Sequence, residues 1–135
     1  MTVKLVHAGI VVSSMENSID FYENLLCFKR QRSFELPAEI IRTLFEIDSP
    51  ASVQVLACDS GALELFLLKD TNPAAQNPVK RGLNHFALET ENLDSFVDSI
   101  KLKGGKLKSS IKDGRAIWFV VDPDGTLIEL KQAKK

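Results

Sequence analysis

The sequence predicts an α+β chain in which a strand, a helix and further strands occur once and then again in the same order. Two observations carry this. Apolar residues switch between a period of two and a period near 3.6 along the chain. The two halves also match at fixed offsets. A shift of 78 places His7 on His85, Ile10 on Leu88, Met15 on Leu93, Ile19 on Val97 and Asp20 on Asp98. A shift of 65 places Leu63-Glu64-Leu65 on Ile128-Glu129-Leu130, so the second half is shorter by 13 residues, and the missing length falls among its middle strands.

Each element has its own signal. Lys4 to Val12 is β-branched and apolar with polar breaks, and reads as a strand. Ser13 and Ser14 offer an N-cap, and Met15, Ile19, Tyr22, Leu25 and Leu26 follow at helical spacing. Phe28 to Phe34 and Ile40 to Ile47 read as strands, with Pro37 in the turn between them. Ser52 to Ala57 alternates as a strand does, Cys58 to Gly61 is turn chemistry, and Ala62 to Leu68 is a strand. The second half restarts with a strand over Leu83 to Thr90. Asn92 then caps a helix marked by Leu93, Phe96, Val97, Ile100 and Leu102, which Gly104-Gly105 ends. A short strand over Lys106 to Ser109, a strong one over Ala116 to Val121, a turn at Asp122-Pro123-Asp124-Gly125 and a last strand over Thr126 to Lys131 complete the reading. The expected division is one domain over 1–135, with a first module over 3–69, a linker over 70–82 and a second module over 83–133.

Composition narrows the function. The 135 residues are 44% apolar and 26% charged, with 17 basic against 18 acidic residues. A net charge of -1 gives no field that favours nucleic acid or an anionic membrane. No run of about 18 apolar residues exists to span a bilayer. The N-terminus carries no signal-peptide pattern. Cys27 and Cys58 are too few for a secreted disulfide scaffold, so a cytoplasmic chain with reduced thiols is expected. No phosphate-binding glycine loop and no nucleophile elbow is present. Trp118 and Phe119 are adjacent, so they face opposite ways, one to the core and one free to line a pocket.

Four polar residues stand inside apolar strands: His7, Glu64, His85 and Glu129. Alternation puts Glu64 on one face with Phe66, opposite Leu63, Leu65 and Leu67. It sets Glu129 against Ile128 and Leu130 in the same way. A carboxylate there is paired, solvated or metal-bound, because burying it bare is costly. Taken singly, a strand histidine is ordinarily a hydrogen-bonded structural residue and a strand glutamate a solvated one. Here both histidines of the chain open a half, and both glutamates close one. If the halves pack as pseudo-symmetric sheets, the four meet on the shared axis. Two imidazoles and two carboxylates suit one divalent ion such as Zn, Ni, Co, Mn or Fe.

The sequence resembles the vicinal oxygen chelate superfamily of glyoxalases, epimerases, extradiol dioxygenases and antibiotic resistance proteins. The resemblance covers nearly the whole chain. Its marks are H-A-G-I-V-V with S-I-D-F-Y-E-N-L-L-C-F, then G-L-N-H-F-A-L, and F-V-V-D-P-D-G-T-L-I-E-L. The family usually has glycine where this chain has Cys27. The resemblance implies two βαβββ modules forming a cupped, incomplete barrel around a metal, and a homodimer. Carried over by position, it implies His7, Glu64, His85 and Glu129 as metal ligands and a small oxygen-chelating molecule as substrate. The filled fourth position and the wording of the last strand favour a glyoxalase-like lyase or isomerase acting on the hemithioacetal of a 2-oxoaldehyde. Glu129, or else Glu64, would move the proton while the metal stabilises an enediolate. A methylmalonyl-CoA epimerase-like enzyme and a non-catalytic small-molecule binding protein are the alternatives the family holds open.

Overall fold

The computed structural model describes Thr2, residues 5–70, Leu83 and residues 85–134. The chain divides into two units, Met1–Gln76 and Asn77–Lys135. Positions 71–82 of the expected linker lie outside the described residues, as do Lys4 and Asn84 of the expected strands.

In the first unit, β1 (His7–Val11) leads into helix α1 (Met15–Asp20). Ser14 is the N-cap, its side chain accepting from the Asn17 N–H at 3.2 Å. The helix widens into a π-helical turn over Phe21–Leu25, which buries Phe21 and Tyr22. The turn closes when the Phe28 N–H donates to the Tyr22 carbonyl at 3.0 Å. Cys27 lies between, in the left-handed region at φ 63°. That conformation costs an L-residue roughly 1–2 kcal/mol and costs glycine almost nothing. This is a physical reason for glycine at this position. Cys27→Gly is therefore expected to raise unfolding stability by about 0.5–1 kcal/mol, after the extra unfolded-state freedom of glycine is subtracted. Urea denaturation with an unchanged m-value checks it.

β2 (Lys29–Leu36), β3 (Ala51–Cys58) and β4 (Gly61–Leu68) complete an open sheet in the order β1-β4-β3-β2. β1 runs parallel to β4, and the other pairs are antiparallel. Glu35 of β2 accepts from the Ser52 hydroxyl at 2.8 and 2.9 Å and meets Lys69 Nζ at 3.2 Å. The Ser52 hydrogen bond, and then Lys69, hold its carboxyl below the usual carboxylate range.

The strand expected over Ile40 to Ile47 is instead helix α2 (Ala38–Phe45). Pro37 precedes its first turn, Glu39 favours the positive helix N-terminus, and Glu46 ends it in the left-handed region at φ 58°. Ile40, Ile41, Leu44 and Phe45 repeat at i, i+1, i+4 and i+5, which is the helical period, and Ile41 is fully buried. The length missing from the second half is thus a helix with its flanking loops.

The second unit repeats the plan. β5 (His85–Thr90) leads to α3 (Leu93–Leu102), and β6 (Lys106–Lys112), β7 (Arg115–Val121) and β8 (Leu127–Gln132) follow. The sheet order is β5-β8-β7-β6, with β5 parallel to β8. The Asn92 side chain accepts from the Ser95 N–H at 3.0 Å, and the Gly105 N–H closes the helix on the Ile100 carbonyl at 2.9 Å. β6 runs three residues past the expected Ser109. Asp113-Gly114, with φ 53° and 75°, forms the two-residue turn that pairs β6 with β7. Before β8, the buried Asp122 carboxylate accepts from the Asp124 N–H at 2.9 Å and the Thr126 N–H at 2.7 Å, which fixes the turn.

The first sheet buries one face under α1, and the second buries one under α3. In the first unit that face carries Ile10, Leu56, Leu63 and Leu65, with Tyr22 and Leu26 among the buried residues of the same unit. In the second it carries Val120, Ile128 and Leu130, with Val97 and Ile100 buried on α3. Lys101 of α3 lies over Trp118 at 4.9 Å, so Trp118 takes the helix-side face and Phe119 the other. No helix among the described residues is long and apolar enough to cross a membrane.

Candidate metal centre

The face turned away from α1 and α3 holds the polar strand residues. In β1 and β4, Gly9 stands opposite Glu64 and His7 opposite Ala62. His7 therefore lies diagonally across from Glu64 on one face, with His7 Nε2 3.1 Å from Glu64 Oε1. In β5 and β8, Ala87 stands opposite Glu129 and His85 opposite Leu127. His85 Nε2 lies 3.4 Å from Glu129 Oε1. The same diagonal recurs because β1 and β5 pair in parallel with β4 and β8 in the same register.

The glutamates are the more sheltered partners. Side-chain exposure is 16% for Glu64 and 21% for Glu129, against 49% for His7 and 37% for His85. Aromatic rings flank both pairs. A Cβ on Gly9 would meet Phe66 Cε2 at 3.2 Å, so the glycine lets the Phe66 ring lie close over β1. Phe45 of α2 packs edge-on to Phe66 at 5.6 Å between centroids, which brings α2 onto the face that carries Glu64. In the second unit Phe119 stands opposite Glu129 and packs edge-on to His85 at 5.4 Å. Lys131 places Nζ 4.0 Å from Glu129 Oε2.

The donor chemistry fits a divalent cation. Metal bonds to imidazole nitrogen and carboxylate oxygen are near 2.1 Å, so two neighbouring ligands of one ion stand about 3.0–3.4 Å apart. The His–Glu separations of 3.1 and 3.4 Å match that spacing, and they equally suit a hydrogen-bonded pair. Among the described residues no group of three or more His, Cys, Asp or Glu stands close enough together to hold a metal, and each unit presents one His–Glu pair. The cysteines take no part. Cys27 and Cys58 are both free, and Cys27 is exposed at the end of the π-helical turn.

The sequence singled out both histidines and both glutamates. The structure sets each histidine beside the glutamate of its own unit, and each glutamate stands on the face opposite its buried strand neighbours, as alternation predicts. The sequence reading did not single out Lys131 or α2. The signals were present: Lys131 follows Glu129 by two in a strand and so shares its face, and the 40, 41, 44, 45 spacing of apolar residues marked α2.

Known proteins are similar to this chain in sequence and in fold. The family model described as the Glyoxalase/Bleomycin resistance protein/Dioxygenase superfamily matches residues 4–130. A lactoylglutathione lyase of Neisseria meningitidis is 30% identical, over 97% of this chain and 91% of its own length. The trypanothione-dependent glyoxalase I of Leishmania major superposes with a TM-score of 0.71 at 23% identity, covering 97% of this chain and 87% of that one. A fosfomycin resistance protein of Listeria monocytogenes, solved with Mn(II) and sulfate, superposes with a TM-score of 0.65 at 17% identity, covering 99% of this chain and 95% of that one. Two open mixed sheets of the same strand order, each with a His–Glu diagonal, on a sequence matched almost end to end, make the chain a member of the glyoxalase/bleomycin resistance protein/dioxygenase superfamily.

Proposed function

We propose that this protein is a divalent-metal-dependent lyase of the glyoxalase I kind, acting on the hemithioacetal formed by a 2-oxoaldehyde and a thiol. The observation that carries the reading is the duplicated His–Glu diagonal, present at equivalent register in both units. The lactoylglutathione lyase name of the Neisseria relative supports the choice of reaction. In this reading His7, Glu64, His85 and Glu129 are the metal ligands.

A bound divalent cation would supply positive charge to substrate oxygens as negative charge develops on them. The chain's own groups do the rest. Each imidazole is held at its strand by the carboxylate beside it, so the pair presents fixed donors. The carboxylate of Glu129 takes the proton from the substrate C–H and returns it to the neighbouring carbon, while the hydroxyl proton passes to the neighbouring oxygen, which turns the hemithioacetal into a 2-hydroxy thioester without net loss of atoms. Phe119, packed edge-on to His85, keeps water from one side of that exchange.

Metal analysis joined to a turnover assay tests the reading. Purified protein loaded in turn with Zn, Ni, Co and Mn is expected to retain about one ion per chain and to convert the methylglyoxal–glutathione hemithioacetal. Removing the ion with a chelator is expected to abolish turnover, and adding it back to restore it. Retention of no ion under any loading would overturn the reading in favour of a binding protein. Turnover of methylmalonyl-CoA in place of the hemithioacetal would assign an epimerase.

A further inference from the structure

The two units repeat each other in register, so a place filled in one and open in the other shows what the open place can take. Leu65 and Leu130 are repeat-equivalent, and both are buried on the helix side of their sheets. Opposite Leu130 stands Trp118, and opposite Trp118 stands Ser109. Opposite Leu65 stands Gln54, and opposite Gln54 stands Ser33. The indole of the second unit, with Lys101 4.9 Å over its ring, thus has a shorter amide as its counterpart in the first. A cavity of about 280 Å³ opens there, lined by Met15 of α1, residues 33–35 of β2 and residues 52–54 of β3. Alternation puts the Ser33, Glu35, Ser52 and Gln54 side chains on this face, away from Glu64.

The wall of the cavity is rich in acceptors. Gln54 Nε2 donates to the Arg32 carbonyl at 2.9 Å and to the Val55 carbonyl at 3.1 Å, which uses both amide protons and leaves Oε1 to accept. Glu35 takes the Ser52 hydroxyl proton on either oxygen, at 2.9 or 2.8 Å, and meets Lys69 Nζ at Oε2. A carboxylate has about four lone-pair sites, so Oε1 still accepts. The Glu35 side chain is 64% exposed and so within reach of a ligand, and Lys69 shows that it draws a cation. The Ser33 hydroxyl has no partner among the described residues. Met15 adds a thioether, which packs well against a ring.

We infer that this cavity is a second binding site, on the sheet face opposite the His7–Glu64 pair, for a small planar cation of the amidinium or guanidinium class. Its flat apolar part lies against Met15, in the place where the second unit has its indole. Its N–H groups face Glu35 Oε1 and Gln54 Oε1. The planar fork of such a cation matches a carboxylate, which a compact ammonium does not. The volume falls at the low end for ligand pockets, so the site takes one ring with one charged group and nothing larger. A neutral ring forgoes the charge, and an anion meets Glu35. The site does not depend on the reaction proposed for the other face.

The probe is benzamidine, titrated by NMR into the full chain, with benzamide as its neutral isostere. Benzamidine is expected to shift the backbone amides of Ser33, Ser52 and Gln54 together, with a Kd of about 1 mM. Benzamide should bind at least about fivefold more weakly, the worth of one exposed charge pair. Glu35→Gln should remove that preference. Gln54→Trp should fill the cavity as Trp118 fills its counterpart, and abolish the ligand-induced shifts at Ser33 and Ser52. The spectra of both variants report their folding directly. The titration needs neither metal nor turnover, so its outcome is separate from the test of the lyase reading. Absence of shifts at these amides in the wild-type protein, equal binding of benzamide, an unchanged preference in Glu35→Gln, or persisting shifts in Gln54→Trp would overturn the site.

Discussion

Glu129→Gln is expected to lower kcat by about 10²–10⁴-fold, the range for loss of a positioned general base. The amide keeps the size of the side chain and an oxygen toward His85, but it has no lone pair basic enough to take a carbon-bound proton. The substitution also leaves the strand undisturbed. Its neighbours Ile128 and Leu130 hold β8 on the helix side, at 0% and 3% exposure, while Glu129 stands on the other face. The unfolding midpoint should therefore hardly move, and because the amide oxygen remains a neutral, weaker donor, the assay is run with the ion in excess, so the loss appears in kcat and not in folding. His85→Ala separates the two duties, since removing a donor should lower metal affinity first and activity as a consequence. Steady-state kinetics with metal content measured on the same samples decides the matter. Wild-type kcat in Glu129→Gln, together with a collapse in Glu64→Gln, would move the proton-transfer role to the first unit's glutamate. Glu64 has the same diagonal to its histidine, at 3.1 Å, but a phenylalanine where Glu129 has Lys131 two residues on.

The fold and the candidate site were legible to different depths, and the reasons are physical. The repeat was legible because both units solve the same packing problem. One sheet face must be apolar for a helix, which forces Leu63 and Leu65, and then Ile128 and Leu130, into alternation around a glutamate. Any polar residue kept inside such a strand is conspicuous, and so four residues far apart in the chain could be picked out. The helix caps were legible for a similar reason: the Ser14 and Asn92 side chains each accept from the backbone N–H three positions on, a local interaction that needs no tertiary knowledge. What was missed depends on the period chosen. Ile40 to Ile47 is rich in isoleucine, leucine and phenylalanine, and strand propensity fits it as well as helix propensity does. Only the i, i+4 spacing and Pro37 at its start decide for α2. The extension of β6 to Lys112 followed from Asp113-Gly114, a strong hairpin signal, which outranks the weak propensity of Lys-Leu-Lys-Ser-Ser. The lysines of the face that carries Glu129, Lys108 on the edge strand β6 and Lys131 on the inner strand β8, escaped notice because a strand lysine is ordinarily solvated or protects an edge. Their face is fixed only by pairing register, which a sequence read strand by strand does not contain.

Register also predicts how two adjacent substitutions in β8 should fail. Ile128→Ala is expected to cost about 2–5 kcal/mol of stability, because the side chain is fully buried on the helix side and its removal leaves a cavity where Val120 and the α3 residues Val97 and Ile100 pack. Glu129→Ala, one residue on, removes a side chain from the opposite face and should change stability by less than about 1 kcal/mol while abolishing catalysis. Urea unfolding of both variants, with activity measured below the transition, separates the effects. The stable but inactive protein should be Glu129→Ala. Ile128→Ala should retain catalysis per folded molecule at low temperature and lose it as it unfolds. A cost under about 1 kcal/mol for Ile128→Ala would mean that β8 is not packed as described. The assignment of Glu129 to the outward face would then fail with it, since the same alternation decides both.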